Sequence, residues 1–268
     1  MTRLLCVCAV FVLGCSANSS LECAPSPTPY WDYSGTGTGP TEWGSLPGYE
    51  LCANGTRQSP IDIVPPQAVF DGSAEHPLLD LDLTRVARFI NTGRSLVLEF
   101  ERGEGLVYGG ARYDLANVHF HSPAEHSIDG KVYAMEAHIV TLERDSQQPS
   151  ALVLGVFLDT AKAAANPLLA AVLDGFPQGK ARQNCTLTPD VPVDLELARV
   201  ALPDTAAQWT YQGSLTTPTC GEYVRFFLYR DPVAVSQAQV DQFKRVVGQS
   251  RTSRPVQPLN GRTITLVP

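Results

Sequence analysis

Three histidines in two short stretches are the residues of this sequence best suited to metal chemistry. His119 and His121 flank Phe120, and His138 lies in a second strand-like run at residues 131–142. Residues two apart on a β-strand point to the same face, so the sequence predicts both imidazoles on one face and Phe120 on the other. His138 can join them from a neighbouring strand. Three imidazoles with a fourth position left to water form the ligand set of a catalytic zinc site, although copper and cobalt also accept imidazole.

Two polar residues stand at matching positions beside these histidines. Asn117 precedes His119 by two residues, and Glu136 precedes His138 by two. Each therefore shares a strand face with its histidine, where its oxygen can accept the hydrogen bond that fixes the imidazole tautomer. We predict both as supports of the metal ligands; a solvated surface role is the alternative for either one alone.

Short apolar runs separated by glycine and proline must position these residues. The chain has 21 Gly and 21 Pro, which favours a β-rich fold with many turns. The predicted strands fall at residues 89–90, 95–100, 105–108, 116–121, 133–142, 151–158 and 223–229. Residues 31–60 are predicted to be irregular structure packed on the core.

Two helices are predicted from their end signals. Residues 167–174 follow Asn166, a good N-cap, and Gly175 is the expected stop. Residues 236–247 form an amphipathic run capped by Ser236.

The totals describe one globular domain. The 268 residues are 44% hydrophobic and 18% charged, which is enough for a sizeable core. The net charge of -7 and the lack of a basic run argue against a nucleic-acid partner. No repeat or linker divides the chain, so we predict an extended segment at residues 18–30 and a single domain at residues 31–268.

The first 17 residues are typical of a signal peptide. Arg3 precedes an apolar stretch at residues 4–14, and small residues end at Ala17. The stretch is too short for a membrane span, and no other apolar stretch is long enough. We predict export to the periplasm, the extracellular space or an organelle lumen; lipid attachment at Cys15 is the alternative.

Export would allow disulfides to form among the cysteines that remain after cleavage. Exported proteins commonly hold disulfides, and four cysteines allow three pairings. The four are Cys23, Cys52, Cys185 and Cys220.

Further motifs extend the pattern along the chain. Glu125-His126 follows the first histidine pair, and Gly-Ser-Leu-Thr-Thr-Pro occupies residues 213–218. Gln-Ser-Pro-Ile-Asp-Ile occupies residues 58–63, and Arg-Pro-Val-Gln-Pro-Leu-Asn occupies residues 254–260. In this order, and together with the three histidines, they resemble the α-class carbonic anhydrases from residue 31 to about residue 262.

The resemblance implies a fold and an activity. The fold would be mainly β, a single domain with a large twisted, mostly antiparallel central sheet and a few short peripheral helices. The activity would be reversible hydration of CO2 to bicarbonate and a proton through a zinc-bound hydroxide, with Zn2+ on His119, His121 and His138. Anions and sulfonamides would inhibit it. A non-catalytic binding protein on the same fold and a zinc esterase are the alternatives.

The resemblance also implies roles for single residues. Thr216 would accept the hydrogen bond of the hydroxide and donate its own proton to Glu125, and Thr217 would lie at the bicarbonate site. The apolar pocket for CO2 would be lined by Val140, Val153 and Leu215. A disulfide would join Cys52 to Cys220, which leaves Cys23 and Cys185 as the second pair.

Two residues depart from the family pattern. Arg94 follows Asn-Thr-Gly at the place where the fastest members have a proton-shuttling histidine. Arginine stays protonated and cannot relay a proton, so we expect water and buffer to carry it, with Tyr33 ordering the water. Asn117 replaces the usual glutamine and is one methylene shorter, so its hydrogen bond calls for a bridging water or a small backbone shift.

Overall fold

The computed structural model describes most of the chain. It covers residues 20–23, 30–35, 37–81, 84–101, 103–176, 184–188, 193–195, 202–203 and 207–268. The predicted signal peptide and most of the predicted extended segment lie outside the described residues. Among the helices that are described, none is both long enough and apolar enough to cross a membrane.

Strands dominate the described residues. In chain order, β1 to β18 are Ser20–Cys23, Asp62–Ile63, Val69–Phe70, Leu78–Asp80, Thr84–Asn91, Leu96–Phe100, Gly105–Tyr108, Ala111–His121, Ser127–Ile128, Lys131–Val132, Met135–Glu143, Ala151–Asp159, Cys185–Thr188, Val193–Leu195, Gln208–Gly213, Val224–Tyr229, Val233–Ala234 and Thr265–Val267. The α-helices α1 to α3 are Leu51–Asn54, Pro167–Gly175 and Gln237–Val247. Short 3₁₀ turns lie at Trp43–Ser45, Pro65–Gln67 and Thr160–Lys162.

One large sheet organises these strands. Within the described residues it has 15 strands, and its main path runs β1-β13-β5-β6-β8-β11-β12-β16-β15-β18-β3. Most neighbours are antiparallel; β12 pairs in parallel with β16 and β17, and β18 with β3. A small sheet, β10-β9-β2, lies apart. This architecture confirms the predicted fold class.

The two faces of the central strands serve different purposes. On β8, Val118 and Phe120 point into the larger apolar core, which also contains Leu169 of α2 and Phe243 of α3. Burial of each large apolar side chain contributes about 1.5–3 kcal/mol, so this face anchors the sheet. The alternation then leaves the histidines of β8 on the opposite face.

The pairing of β8 with β11 completes the histidine cluster. His138 lies directly opposite His119, and Glu136 lies opposite His121. The register shifts beyond this point, because Leu115 and Asn117 pair with consecutive residues of β11 and Ala116 is extra. Such a bulge bends the strand and re-aims the side chains next to it.

Several predicted boundaries differ from the structure. The run at residues 131–142 is divided into β10 and β11, because Tyr133 leaves the ladder and its ring packs 4.9 Å from that of Phe157, centroid to centroid. β8 begins five residues earlier than predicted, since its first half pairs with β7.

The two predicted helices form with small corrections. Asn166 Oδ1 accepts a hydrogen bond from the Leu169 amide at 2.9 Å, as an N-cap does. The helix α2 extends one residue further than predicted, to Gly175, and its C-cap is Phe176, whose buried ring packs against Phe89. Ser236 caps α3 in a capping box.

The structure contains two disulfides. One joins Cys23 to Cys185 across β1 and β13, and the other joins Cys52 to Cys220. Each closes a loop of more than 160 residues (separations of 162 and 168), so each restricts the unfolded chain strongly.

Candidate metal centre

Three imidazoles meet at the centre of the sheet. The ring centroids of His119, His121 and His138 lie 4.8 to 5.2 Å apart. Each offers one ring nitrogen, and these three atoms lie within 4.8 Å of one another. His121 and His138 are buried, at 1% and 2% exposure. This is a spacing at which one ion could contact all three nitrogens.

Asn117 supports the first histidine directly. Its Oδ1 lies 2.8 Å from His119 Nδ1, so the short side chain reaches the ring without a bridging water. The extra residue Ala116 in the adjoining bulge provides the backbone shift that this contact calls for. With Nδ1 engaged, His119 has Nε2 left for a metal.

A main-chain carbonyl fixes the second histidine. The carbonyl oxygen of Thr252 lies 2.6 Å from His121 Nδ1, which therefore carries the proton and donates it. His121 Nε2 is buried, makes no hydrogen bond to the described residues and faces Glu125 Oε2 at 3.4 Å. Two lone-pair atoms that face each other in a buried place are unfavourable, and a cation would stabilise both. The residues present therefore fit a metal ion.

Glu136 accepts hydrogen bonds from the third histidine and from three neighbouring groups. Its Oε1 accepts from His138 Nε2 and from His126 Nδ1, both at 2.7 Å. Its Oε2 accepts from the backbone amides of Glu125 and His126, both at 2.9 Å. The carboxylate has no exposed surface and all four bonds converge on it. His138 is thus left with Nδ1 for a metal.

The pKa shifts at the site favour neutral histidines and a charged Glu136. Burial lowers the pKa of His119 well below its usual range, and it lowers that of His121 to about 4. Both imidazoles are therefore unprotonated at neutral pH, as metal binding requires. Burial would raise the pKa of Glu136, but His126 and His138 outweigh it and hold this pKa well below its usual range.

Glu125 lies beside the histidines in a buried setting. Its Oε1 accepts from the backbone amide of Arg254 at 2.9 Å. Burial raises the pKa of Glu125 to about 7, against the lowering effects of His138, the Arg254 amide and the Thr216 hydroxyl. A divalent cation nearby would lower this pKa again by favouring the carboxylate.

The loop that follows β15 carries Thr216 and Thr217. The Leu215 amide donates to the Gly221 carbonyl at 2.9 Å, and the Cys220 amide donates to the Thr217 carbonyl at 2.8 Å. Gly213 is required where this loop begins, because a Cβ there would collide with Ser59 Oγ. The Cys52–Cys220 disulfide ties the loop to α1.

The residues predicted to hold CO2 lie together on the same side of the sheet. Val140 pairs with Val153 across β11 and β12. Val153 belongs to a second, smaller apolar core that also contains Trp209 and Leu228, and Val140 and Leu215 pack against this core. Phe226 of β16 belongs to this core, and its ring centroid lies 5.8 Å from that of His138. The candidate metal centre is therefore bordered by an apolar wall.

A cavity of about 200 Å³ leads to the histidines. Tyr33, Arg94 and Thr217 line it together with His119 and His121. The remaining lining residues are Trp31, Thr92, Ser95 and Val97. Tyr33 is buried against Trp43, and burial raises its pKa well above the usual range.

Sequence reasoning missed several supports of the site. Thr252 acts through a carbonyl, which no residue type reveals. Tyr211 Oη bonds to His126 Nε2 at 2.6 Å and to Ser59 Oγ at 2.9 Å. The buried Arg254 donates to three carbonyl oxygens of residues 52–59, a role that its motif of residues 254–260 could have suggested.

Comparison with known proteins agrees with this geometry. The model of the eukaryotic-type carbonic anhydrase family matches residues 38–267. A carbonic anhydrase from Nostoc sp. is 35% identical, covering 98% of this chain and 96% of its own. The α-carbonic anhydrase of Thermovibrio ammonificans, solved in complex with the inhibitor sulfanilamide, has a TM-score of 0.78 at 34% identity, covering 88% of this chain and 98% of its own. Dioscorin DB3S from Dioscorea polystachya is 31% identical, covering 86% of this chain and 84% of its own.

These matches define the family. The chain belongs to the eukaryotic-type carbonic anhydrases. It is an enzyme of the carbonic anhydrase class, since relatives of that name are 31–35% identical to it over most of the chain.

The four bonds of Glu136 generate a first prediction. In E136Q an NH2 group replaces one acceptor oxygen and faces a donor, so the imidazole of His138 is held less well. We expect zinc affinity to fall about 10- to 100-fold. The measurement is competition with a chromophoric chelator, with near-UV circular dichroism as the test of folding.

The matched control is E143Q, at the partly exposed end of the same strand. It should bind zinc as the wild type does. A folded E136Q with wild-type zinc affinity would show that Glu136 does not support the metal site.

Proposed function

We propose that this protein is a zinc enzyme that hydrates CO2 reversibly to bicarbonate and a proton. The observation that supports this most is the convergence of three imidazoles whose outer nitrogens are engaged and whose inner nitrogens face one point. The acceptors behind them are of three different kinds, an amide, a main-chain carbonyl and a carboxylate. Such support is typical of a built metal site.

Zinc suits these ligands best. Three nitrogen donors with one open position are its usual catalytic coordination. When bound, Zn2+ supplies a lowered pKa for a coordinated water, near 7, so that a nucleophile is available at neutral pH. His119, His121 and His138 hold the ion in this proposal.

Thr216 and Glu125 orient the nucleophile. In this proposal the Thr216 hydroxyl would donate its proton to the Glu125 carboxylate, whose pKa it lowers. The Thr216 oxygen would then accept the hydrogen bond of the nucleophile. A nucleophile whose proton is held in this way directs its lone pair toward the substrate. The Arg254 amide fixes Glu125 from behind, at 2.9 Å from Oε1.

The substrate and product bind on different surfaces. CO2 is apolar and fits the wall of Val140, Val153 and Leu215, which contacts the second core. Bicarbonate is an anion and fits the polar side of the cavity, where Thr217 lies. Product therefore leaves toward solvent rather than into the core.

The proton leaves by way of water and buffer. Arg94 lines the cavity in the place of a titratable group, and a guanidinium cannot give up a proton at useful pH. Tyr33 borders the same cavity and can order water there.

The proposal also includes export of the protein and its inhibition by sulfonamides and anions. Two disulfides favour an oxidising compartment, which agrees with the predicted signal peptide. The Thermovibrio relative was solved with sulfanilamide, and we expect sulfonamides and inorganic anions to bind this chain as well.

A non-catalytic binding protein on this fold is the alternative. A dioscorin solved in complex with ascorbate has a TM-score of 0.76 to this chain at 27% identity, so a similar fold occurs in a protein solved with a different small molecule. The presence of all three histidines, Thr216 and Glu125 favours catalysis. Zinc-loaded protein without CO2 hydration would favour the alternative.

Thr216 provides a direct test of the mechanism. T216V removes the hydroxyl but keeps the shape, so the nucleophile loses its acceptor. We expect kcat/KM for CO2 to fall about 100-fold, the usual cost of one oriented polar contact in an active site. Stopped-flow hydration at equal zinc content is the measurement.

Two further variants sharpen this test. T216S retains the hydroxyl and should recover most of the activity. T219V makes the same exchange at an exposed position of the same loop and should be near wild type. The proposal fails if T216V, with zinc bound, is as fast as T216S.

Proton export yields another prediction. Because Arg94 cannot relay a proton, kcat should rise with buffer concentration until a different step limits it. Stopped-flow rates across a buffer series at constant ionic strength measure this. A kcat independent of buffer would mean that another group of the protein shuttles the proton.

A further inference from the structure

Arg94 is held beside the cavity by an aromatic ring. Its guanidinium carbon lies 4.4 Å from the ring centroid of Trp31, and Nη1 donates to the Trp31 carbonyl at 3.3 Å. The residue follows the turn at Gly93, whose amide donates to Asn91 Oδ1 at 2.9 Å. The side chain is therefore positioned rather than free in solvent.

The charge of Arg94 is not neutralised by a close carboxylate. Among the described residues, no acidic group lies within ion-pair distance of its nitrogens. Asp32 is an acidic group that acts on the pKa of Arg94, and Asp32 Oδ1 already accepts from the Ser34 amide, the Ser34 hydroxyl and the Thr38 hydroxyl at 2.8–2.9 Å. The cation–π contact stabilises the guanidinium without cancelling its charge.

The other groups of the cavity leave this charge unopposed. The described lining residues besides Arg94 are neutral at neutral pH: hydroxyls, aromatic rings, Val97 and the two imidazoles. The buried carboxylates of Glu125 and Glu136 are not lining residues of the cavity. Glu136 accepts four hydrogen bonds, and Glu125 accepts one at Oε1 from the Arg254 amide while its Oε2 faces His121 Nε2 at 3.4 Å. A cleft lined by one sign of charge concentrates ions of the opposite sign.

We infer that Arg94 is an anion-attracting residue of the cavity, which strengthens the binding of bicarbonate and other small monovalent anions near the metal centre. This rests on the proposed function, in which bicarbonate is the product. Arg94 thus sets the affinity of the site for its product and for anionic inhibitors, at a position where other members shuttle protons.

The first test uses thiocyanate as the probe and cobalt as the reporter. Protein loaded with Co2+ in place of zinc is titrated with thiocyanate, and the visible absorption of the cobalt ion reports anion binding. We expect R94Q to bind thiocyanate about 3- to 10-fold more weakly than the wild type, the effect of one partly screened charge. R94K keeps the charge and should stay within about twofold of the wild type.

R225Q is the matched control. Arg225 is also half-buried over an aromatic ring, 5.7 Å from the centroid of Tyr108. It precedes Phe226 on β16 and so lies on the opposite face of the sheet from the metal centre. Its removal changes the net charge equally. Equal losses in R94Q and R225Q, or no loss in R94Q, would overturn the inference.

A second test needs neither metal nor activity. Of the three tryptophans, Trp43 and Trp209 are buried at 0% and 3% exposure, so quenchers in solution act mainly on Trp31. R94Q should lower the quenching constant of iodide about twofold and leave that of neutral acrylamide unchanged. Equal iodide quenching in both proteins would contradict the inference.

The two tests separate this inference from the proposed function. A protein that fails to hydrate CO2 but shows the R94Q-specific loss of iodide quenching would retain an anion-attracting cavity without the proposed activity. If the enzyme is active but R94Q changes neither thiocyanate binding nor iodide quenching, the proposed function holds and this inference is wrong.

Discussion

The buried carboxylate of Glu136 is the interaction on which the site depends. Removing a carboxylate from water costs several kcal/mol unless hydrogen bonds replace the lost hydration, and this one receives four. Those bonds orient His138 directly, hold His126 against Tyr211, and fix the backbone that presents Glu125. One buried charge therefore positions both His138, the proposed metal ligand, and Glu125, the proposed partner of Thr216.

The central strands make such placement possible. His119 and His138 are paired across β8 and β11, where the opposite face is anchored by Phe120 and the larger core. A shift of one residue in either strand would turn the histidines into that core, so the hydrophobic alternation also fixes the site. Arg94 instead lies in the turn between β5 and β6, where it lines the cavity.

The sequence predicted that the three histidines converge and that a carboxylate and an amide support two of them, because spacing by two residues on a strand has a direct geometric meaning. It could not predict the Thr252 carbonyl behind His121, since a main-chain oxygen 131 residues away has no residue signature. It also left open how the short Asn117 reaches His119, because the bulge at Ala116 arises from pairing rather than from local composition. A β-rich fold was predictable from the strand-like runs and turn residues, whereas the single large sheet was implied by the family resemblance. The division of the run before His138 depends on the tertiary packing of Tyr133.

Titration of the metal-free protein with zinc, followed by CO2 hydration, tests the central claim most directly. The account predicts that activity is absent after chelation, rises in proportion to added zinc, and stops rising at about one equivalent, as a single site of three imidazoles requires. Substitution of His121 by alanine should abolish the rise. Hydration that persists without metal, or protein that binds one equivalent of zinc and remains at the uncatalysed rate, would contradict the account.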